Sequence, residues 1–230
     1  NDGNDILTGG SGKDLLRGGA GDDTMSGGAG RDTVDYSDAA ELLTITRGPT
    51  GSASPTSTGN GTDIVSDVEN ITGSDFNDAI IGNASDNVLK GGGGDDTMDG
   101  AAGDDTLNGG LGNDDLTGTS GDDTFVFNSA LGPTNVDSIA VFEGAGAGGG
   151  DVIRLDDAIF TTLTGGFTAG NFVSAASSPD AADANDFILY DQTSGALFYD
   201  ADGNGAGSAE QFATLSDSPD ALAFGDFTII

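Results

Sequence analysis

A nine-residue period constrains this chain more than any other feature. From Gly91 to Thr117 it reads GGGGDDTMD, GAAGDDTLN, GGLGNDDLT. Glycine opens each copy (Gly91, Gly100, Gly109) and returns at the fourth place (Gly94, Gly103, Gly112). Aspartate takes the sixth place (Asp96, Asp105, Asp114) and a large apolar residue the eighth (Met98, Leu107, Leu116). The period extends upstream through GSDFNDAII and GNASDNVLK from Gly73, and downstream through GTSGDDTFV from Gly118, with Gly121 and Asp123 in phase. An earlier block holds GGSGKDLLR, GGAGDDTMS and GGAGRDTVD from Gly9, Gly18 and Gly27, after a partial copy with Asp5 and Leu7 in phase. Self-similarity at a fixed short period points to a stacked repeat architecture. The chain begins inside a repeat, so the reading is of a fragment preceded by an N-terminal part.

One nonapeptide buries about one large side chain and spends several glycines, which lose the most backbone freedom on folding. Its aspartates, repeated along an edge, repel one another. A hard cation removes that conflict, because Ca2+ takes six to eight oxygens from carboxylates and backbone carbonyls. Glycines at the first, second and fourth places allow a tight turn with carbonyls aimed at one centre. The aspartate adds charge, and places seven to nine make a short strand whose eighth residue faces in.

Copies of the form GGxGxDxUx, in tandem and in phase, resemble the RTX (hemolysin-type) calcium-binding repeats. The resemblance covers two blocks and implies an all-β chain: a right-handed parallel β-roll with two nonapeptides per turn and a C-terminal β-strand cap. Turns 18 residues apart then stack, with an ion between them. The implied pairs are Asp5/Asp23 and Asp14/Asp32, then Asp78/Asp96, Asp96/Asp114, Asn87/Asp105 and Asp105/Asp123, which gives about six calcium ions or more. The implied ligand turns carry Gly9, Gly10, Gly12, Gly18, Gly19, Gly21, Gly27, Gly28 and Gly30 in the first block. In the second they carry Gly91, Gly92, Gly94, Gly100, Gly103, Gly109, Gly110, Gly112, Gly118 and Gly121. Asn87 lacks the aspartate's charge. Phe76 and Ser85 replace fourth-place glycines, and Ala101 and Thr119 replace second-place ones.

With 6 Lys+Arg against 39 Asp+Glu, the net charge of −33 argues against nucleic acid or an anionic membrane as partner. Without calcium so acidic a composition reads as disordered. There is no cysteine or histidine, hence no disulfide, no Ser–His pair and no HExxH zinc site. No apolar run is long enough to span a membrane.

Four segments follow. Residues 1–35 are the first repeat block, with Lys13, Arg17 and Arg31 outward and solvated. Residues 36–72 break the period: Glu41–Thr46 alternates like a strand, 48–61 is a mobile Ser/Thr/Gly/Pro loop, and 62–72 resumes with Ile64, Val65, Val68 and Ile71 as apolar candidates. This segment is expected to continue the roll as a hairpin or bulged coils. Residues 73–127 are the second block. Residues 128–230 form a β-rich capping and secretion-signal region, holding nine of the twelve phenylalanines. Strands are predicted at 139–142, 152–155, 187–190, 196–199 and 227–230, with one helical turn within 156–163. Asp137 and Asp151 keep the repeat spacing as further ligand candidates, the latter with Gly146 and Gly149. Asp200, Asp202 and Asn204 place oxygens at positions 1, 3 and 5 of an EF-hand-like loop, without the glutamate at 12; a plain turn is the competing reading.

The function expected from the resemblance is a calcium-binding module that folds on meeting extracellular Ca2+. It would support type I secretion and the stability of a larger bacterial protein, at the cell surface or beyond it. Its partners would be calcium and the type I secretion machinery. Catalysis would belong to the upstream part, this region being the non-catalytic tail of a secreted hydrolase or epimerase. The alternative is an adhesive roll that binds a surface glycan or self-associates, using a flat ladder of outward threonines (Thr24, Thr33, Thr97, Thr106, Thr124).

Overall fold

The computed structural model describes residues 2–46, 54–58, 61–144, 150–176, 181, 184–203, 207–216 and 222–230. The chain winds as successive coils, each placing one short strand in each of two facing sheets. The first coil holds β1 (Ile6–Gly12) and β2 (Leu15–Leu16), the second β3 (Thr24–Gly30) and β4 (Thr33–Asp35). Then come β5 (Leu43–Thr46), β6 (Ser54–Thr58), β7 (Gly61–Ser66) and β8 (Asn70–Thr72). The second block supplies β9 (Ala79–Ile81), β10 (Val88–Gly93), β11 (Thr97–Asp99), β12 (Thr106–Leu111), β13 (Asp115–Thr117) and β14 (Thr124–Phe127). A further coil, β15 (Asp137–Ala140) and β16 (Val152–Leu155), continues past the repeats. The cap adds β17 (Phe172–Ala175), β18 (Ile188–Asp191), β19 (Ala196–Tyr199), β20 (Glu210–Leu215) and β21 (Phe227–Ile229).

One sheet runs β1-β3-β7-β6-β5-β9-β11-β13-β15-β20-β19-β18-β17, the other β2-β4-β8-β10-β12-β14-β16-β21. Within the blocks the pairing is parallel with partners 18 residues apart, as in Leu7 with Met25, Leu89 with Leu107 and Met98 with Leu116. The chain is therefore a parallel β-roll whose full turn is two nonapeptides. The eighth-place residues Leu16, Met25, Val34, Ile80, Leu89, Met98, Leu107, Leu116 and Phe125 are buried, and Leu7, on the edge strand, is half-buried. Alternation along each strand thus lays down one continuous apolar column between the sheets.

The interruption is built into the roll. β5, β6 and β7 pair antiparallel, and β7 rejoins the register with Met25 opposite Val65. Val65, Val68 and Ile71 are buried as expected, while Ile64 is exposed. Part of the stretch read as a loop, 54–58, is strand; the rest of that reading, at 48–53 and 59–60, lies outside the described residues. Between β3 and β9 one sheet carries three strands, whereas between β4 and β10 the other carries only β8. Two extra strands widen one face by about 10 Å, so the two edges of the roll fall out of step there.

The sheets cross the 127/128 boundary without a break. Beyond it, aromatic rings close the end of the core: Phe127 and Phe160 each meet Phe212 edge-on, at centroid distances of 5.2 and 5.3 Å, and Phe160 meets Tyr199 at 5.0 Å. The predicted cap strands all form, within a residue or two of their expected ends. β17 and β20 were not foreseen, and the expected helical turn is a 3-10 segment at Thr161–Gly165.

Two expectations are corrected. The threonines do not form one ladder, because consecutive nonapeptides lie on opposite sheets. Thr24 sits between Ile6 and Ile64, and Thr97 between Ala79 and Asp115; only Thr106 and Thr124 are neighbours. Nor are the arginines simply solvated. Arg17 pairs with Asp35, and Arg31 reaches Asp86 at 3.2 Å, linking the first block to the second.

Where glycine fills the second place it holds a positive φ, whereas Ser74 and Asn83 fill it without one; Gly110 has +110°, and a side-chain carbon there would run into the Gly92 carbonyl. Ala101 and Thr119 occupy the same place at +78° and +79°, a region that costs non-glycine residues about 1–3 kcal/mol. Gly110→Ala is expected to lower stability in calcium by about 3 kcal/mol or more, and Ala101→Gly to raise it by about 1 kcal/mol. Thermal melts of the two variants beside the parent check both signs.

Candidate metal centre

The sixth place of each turn is where the polar chemistry gathers. Its backbone amide donates to the carboxylate of the equivalent residue one coil later. Along one edge Asp5 N–H donates to Asp23 Oδ1 (2.8 Å), Asp23 to Asp63 (2.9 Å), Asp78 to Asp96 (2.7 Å), Asp96 to Asp114 (2.8 Å) and Asp114 to Asp137 (3.1 Å). Along the other, Asp14 donates to Asp32 (2.8 Å), Asp32 to Glu69 Oε2 (2.9 Å), Asn87 to Asp105 (2.7 Å), Asp105 to Asp123 (2.9 Å) and Asp123 to Asp151 (2.9 Å). All six pairs expected from the sequence are adjacent, and Asp137 and Asp151 extend the two columns.

Asp23, Asp32, Asp96, Asp105 and Asp114 each spend Oδ1 on this bond. Their Oδ2, like that of Asp14 at the start of its column, is buried without a hydrogen-bond partner. It lies over the first glycine of its own turn. A side-chain carbon added to Gly9 would sit 2.7 Å from Asp14 Oδ2 and 2.6 Å from the Gly27 carbonyl one coil on. Gly91 repeats the arrangement with Asp96 and the Gly109 carbonyl, and Gly18, Gly27, Gly100, Gly109 and Gly118 each face their own turn's aspartate in the same way. The glycines at the second and fourth places (Gly10, Gly12, Gly19, Gly21, Gly28, Gly30, Gly92, Gly94, Gly103, Gly110, Gly112, Gly121) hold positive φ and shape the turn. Among the described residues no three carboxylates converge on one point. A cation held here would draw on one or two carboxylates plus backbone carbonyls, a set of hard oxygens that fits calcium.

The electrostatics point the same way. Burial pushes the Asp96 carboxyl up to about 8, with Asp114 and Asp78 adding repulsion. Burial likewise raises Asp105 to about 7 and Asp151 to about 6, and raises Asp63, Asp78, Asp123 and the neighbouring pair Asp114 and Asp137. Among the described residues no basic side chain is hydrogen-bonded to the columns; the ion pairs there lie at Asp35 and Asp86.

Asp63 and Glu69 were missed. For Asp63 the signal was present: Thr58 to Ser66 reads TGNGTDIVS, a nonapeptide with threonine in the first place. Glu69 carries no such signature; only the register of Thr33 opposite Asn70 reveals it. Also unforeseen is an outer ladder at the fifth place, where the bonds run in the opposite sense. Asp95 N–H donates to Asn77 Oδ1, Asn113 to Asp95, Asp104 to Asp86 and Asp122 to Asp104, each 18 residues back. The EF-hand-like loop is a hairpin turn between β19 and β20 whose carboxylates serve its own amides: Asp202 N–H donates to Asp200 Oδ1 and Gly207 N–H to Asp202 Oδ2. Asn204, Gly146 and Gly149 lie outside the described residues.

A family model described as the RTX calcium-binding nonapeptide repeat (4 copies) matches residues 1–34, 72–107 and 99–125. No curated protein matches. Among solved structures, the extracellular lipase LipA from Serratia marcescens is similar at 19% identity and a TM-score of 0.39, over 100% of this chain and 39% of that one. The chain thus spans well under half the length of that lipase.

The raised carboxyls set a pH dependence with two signs. Without cation the fold binds protons the unfolded chain does not, so its stability is greatest at acid pH and is lost as pH rises through about 6–8. With calcium the same carboxyls must be deprotonated to act as ligands, so calcium affinity falls as pH drops through that window. Circular dichroism from pH 8 to 5, in chelator and in calcium, is expected to show opposite slopes.

Proposed function

Because its two blocks are RTX calcium-binding nonapeptide repeats, we propose that this region is a calcium-folded module of a larger secreted protein. The observation that carries the reading is the column of buried aspartates whose second oxygens have no partner. Neighbouring coils are about 4.8 Å apart. Two carboxylates at that separation repel by about 3 kcal/mol at an effective dielectric of 20. With a net charge of −33, the chain has little of its own to offset that sum. Calcium supplies the missing charge between stacked turns.

Folding would then follow calcium concentration. Extracellular calcium modules bind in the range of about 10⁻⁴–10⁻³ M. One site at ten times its dissociation constant adds about 1.4 kcal/mol, and sites in a column share turns, so binding is steep. Such a chain stays open where calcium is scarce and closes outside the cell. That supports export through a type I channel and an extracellular or cell-surface location. About six ions or more are proposed.

We assign no catalysis to these residues. The chain has no histidine or cysteine, and its paired carboxylates are accounted for by the turns. An enzyme, such as a hydrolase or epimerase, would lie in a preceding part. The adhesive alternative loses support with the broken threonine ladder. Far-UV circular dichroism during a calcium titration, with magnesium as control, is expected to show a cooperative coil-to-β transition reversed by chelator. A spectrum equally structured in chelator would overturn the proposal. Asp105→Asn, in the middle of its column, is expected to raise the calcium midpoint several-fold, since it removes a charged ligand shared by two stacked turn pairs.

A further inference from the structure

The RTX match leaves out residues 35–71, yet the turn at 66–69 sits on the first block's column. Ser66 closes β7 and Asn70 opens β8, so only Asp67, Val68 and Glu69 connect the two strands. In the repeats, five steps separate the first place from the sixth, as from Gly27 to Asp32; here Asp67 and Glu69 do the same work two steps apart. Thr33 lies opposite Asn70 and Val34 opposite Ile71, which puts Glu69 in the aspartate's place above Asp32.

The oxygens converge as in a regular turn. Asp32 is fully buried, and its Oδ2 has no partner. A side-chain carbon added to Gly27 would lie 2.6 Å from that oxygen and would run into the Asp67 carbonyl. The Asp67 carbonyl therefore stands where the Gly27 carbonyl stands over Gly9. Asp67 reaches this position with φ +51°. Glu69 N–H donates to the Asp32 carbonyl at 3.2 Å, and Glu69 Oε2 accepts the Asp32 amide at 2.9 Å. Glutamate has one methylene more than aspartate, which gives the shortened turn its reach.

We infer that Asp32, Glu69 and the Asp67 carbonyl form a further calcium site, outside the nonapeptide repeats, that fastens the inserted segment to the first block. The inference rests on the calcium-module reading, and the test separates the two. Native mass spectrometry of the full chain at saturating calcium counts the bound ions. Glu69→Gln keeps an oxygen to accept the Asp32 amide but removes the charge, and it is expected to bind one ion fewer than the parent. An unchanged count would overturn this site alone, whereas a parent chain that binds no calcium would overturn the module reading with it. Should the variant fail to fold, anomalous diffraction from calcium-loaded parent crystals decides. A peak between Asp32 and Glu69 is expected, and peaks in the repeat turns without one here would overturn the site.

Discussion

The structure depends on one contact repeated along two edges: a backbone amide donating to the carboxylate of the coil above. That bond sets the register of the stack and draws the aspartate into the turn. Drawing it in is what creates the difficulty. A carboxylate needs several partners when buried, and this bond satisfies only one oxygen. The rest of the fold follows from how the second oxygen is served. The first-place glycines leave room for it, the carbonyls of the next turn share that room, and a divalent cation is the species that completes the set.

The apolar column between the sheets is continuous but thin, one side chain per strand from β8 to β13. It is regular because alternation in a short strand leaves the eighth residue nowhere else to point. At the C-terminal end the coils can no longer shelter it, and the chain changes character. Phe127, Phe160, Phe212 and Tyr199 form an aromatic plug across the last coil, while Phe167, Phe172 and Phe227 pack together beside it. β19 runs antiparallel to both β18 and β20. The stacking direction is closed there by aromatic burial, not by carboxylates, since Asp137 stands opposite Ala213.

The inserted segment shows how much departure the roll absorbs. It keeps the apolar column with Val65 and Ile71, and it keeps the stack with Asp63 and Glu69. What it loses is continuity along the edges. On one edge Leu43, not an aspartate, donates its amide to Asp78. On the other, Asn87 Oδ1 turns back to accept the Asn83 amide. The carboxylate columns are therefore two sets of stacks, joined through a hairpin and through the Arg31–Asp86 pair.

The period by itself determined the repeat and the inward residue, because both are local; the pairing at 18 residues and the candidate turn ligands came with the resemblance to RTX repeats that the period carries. The period also carried Asp63, in a nonapeptide whose first glycine is a threonine. The tertiary structure alone decided the rest. Glu69 became a column member only because β8 lies beside β4. The threonines were separated because alternate copies face opposite sheets, and a spacing of nine does not reveal which face a strand joins. Asp200 and Asp202 have the spacing of a metal loop, and the structure sets one oxygen of each on an amide of the same turn. Spacing along a chain states which oxygens are available; only the packing of one coil on another states which of them meet.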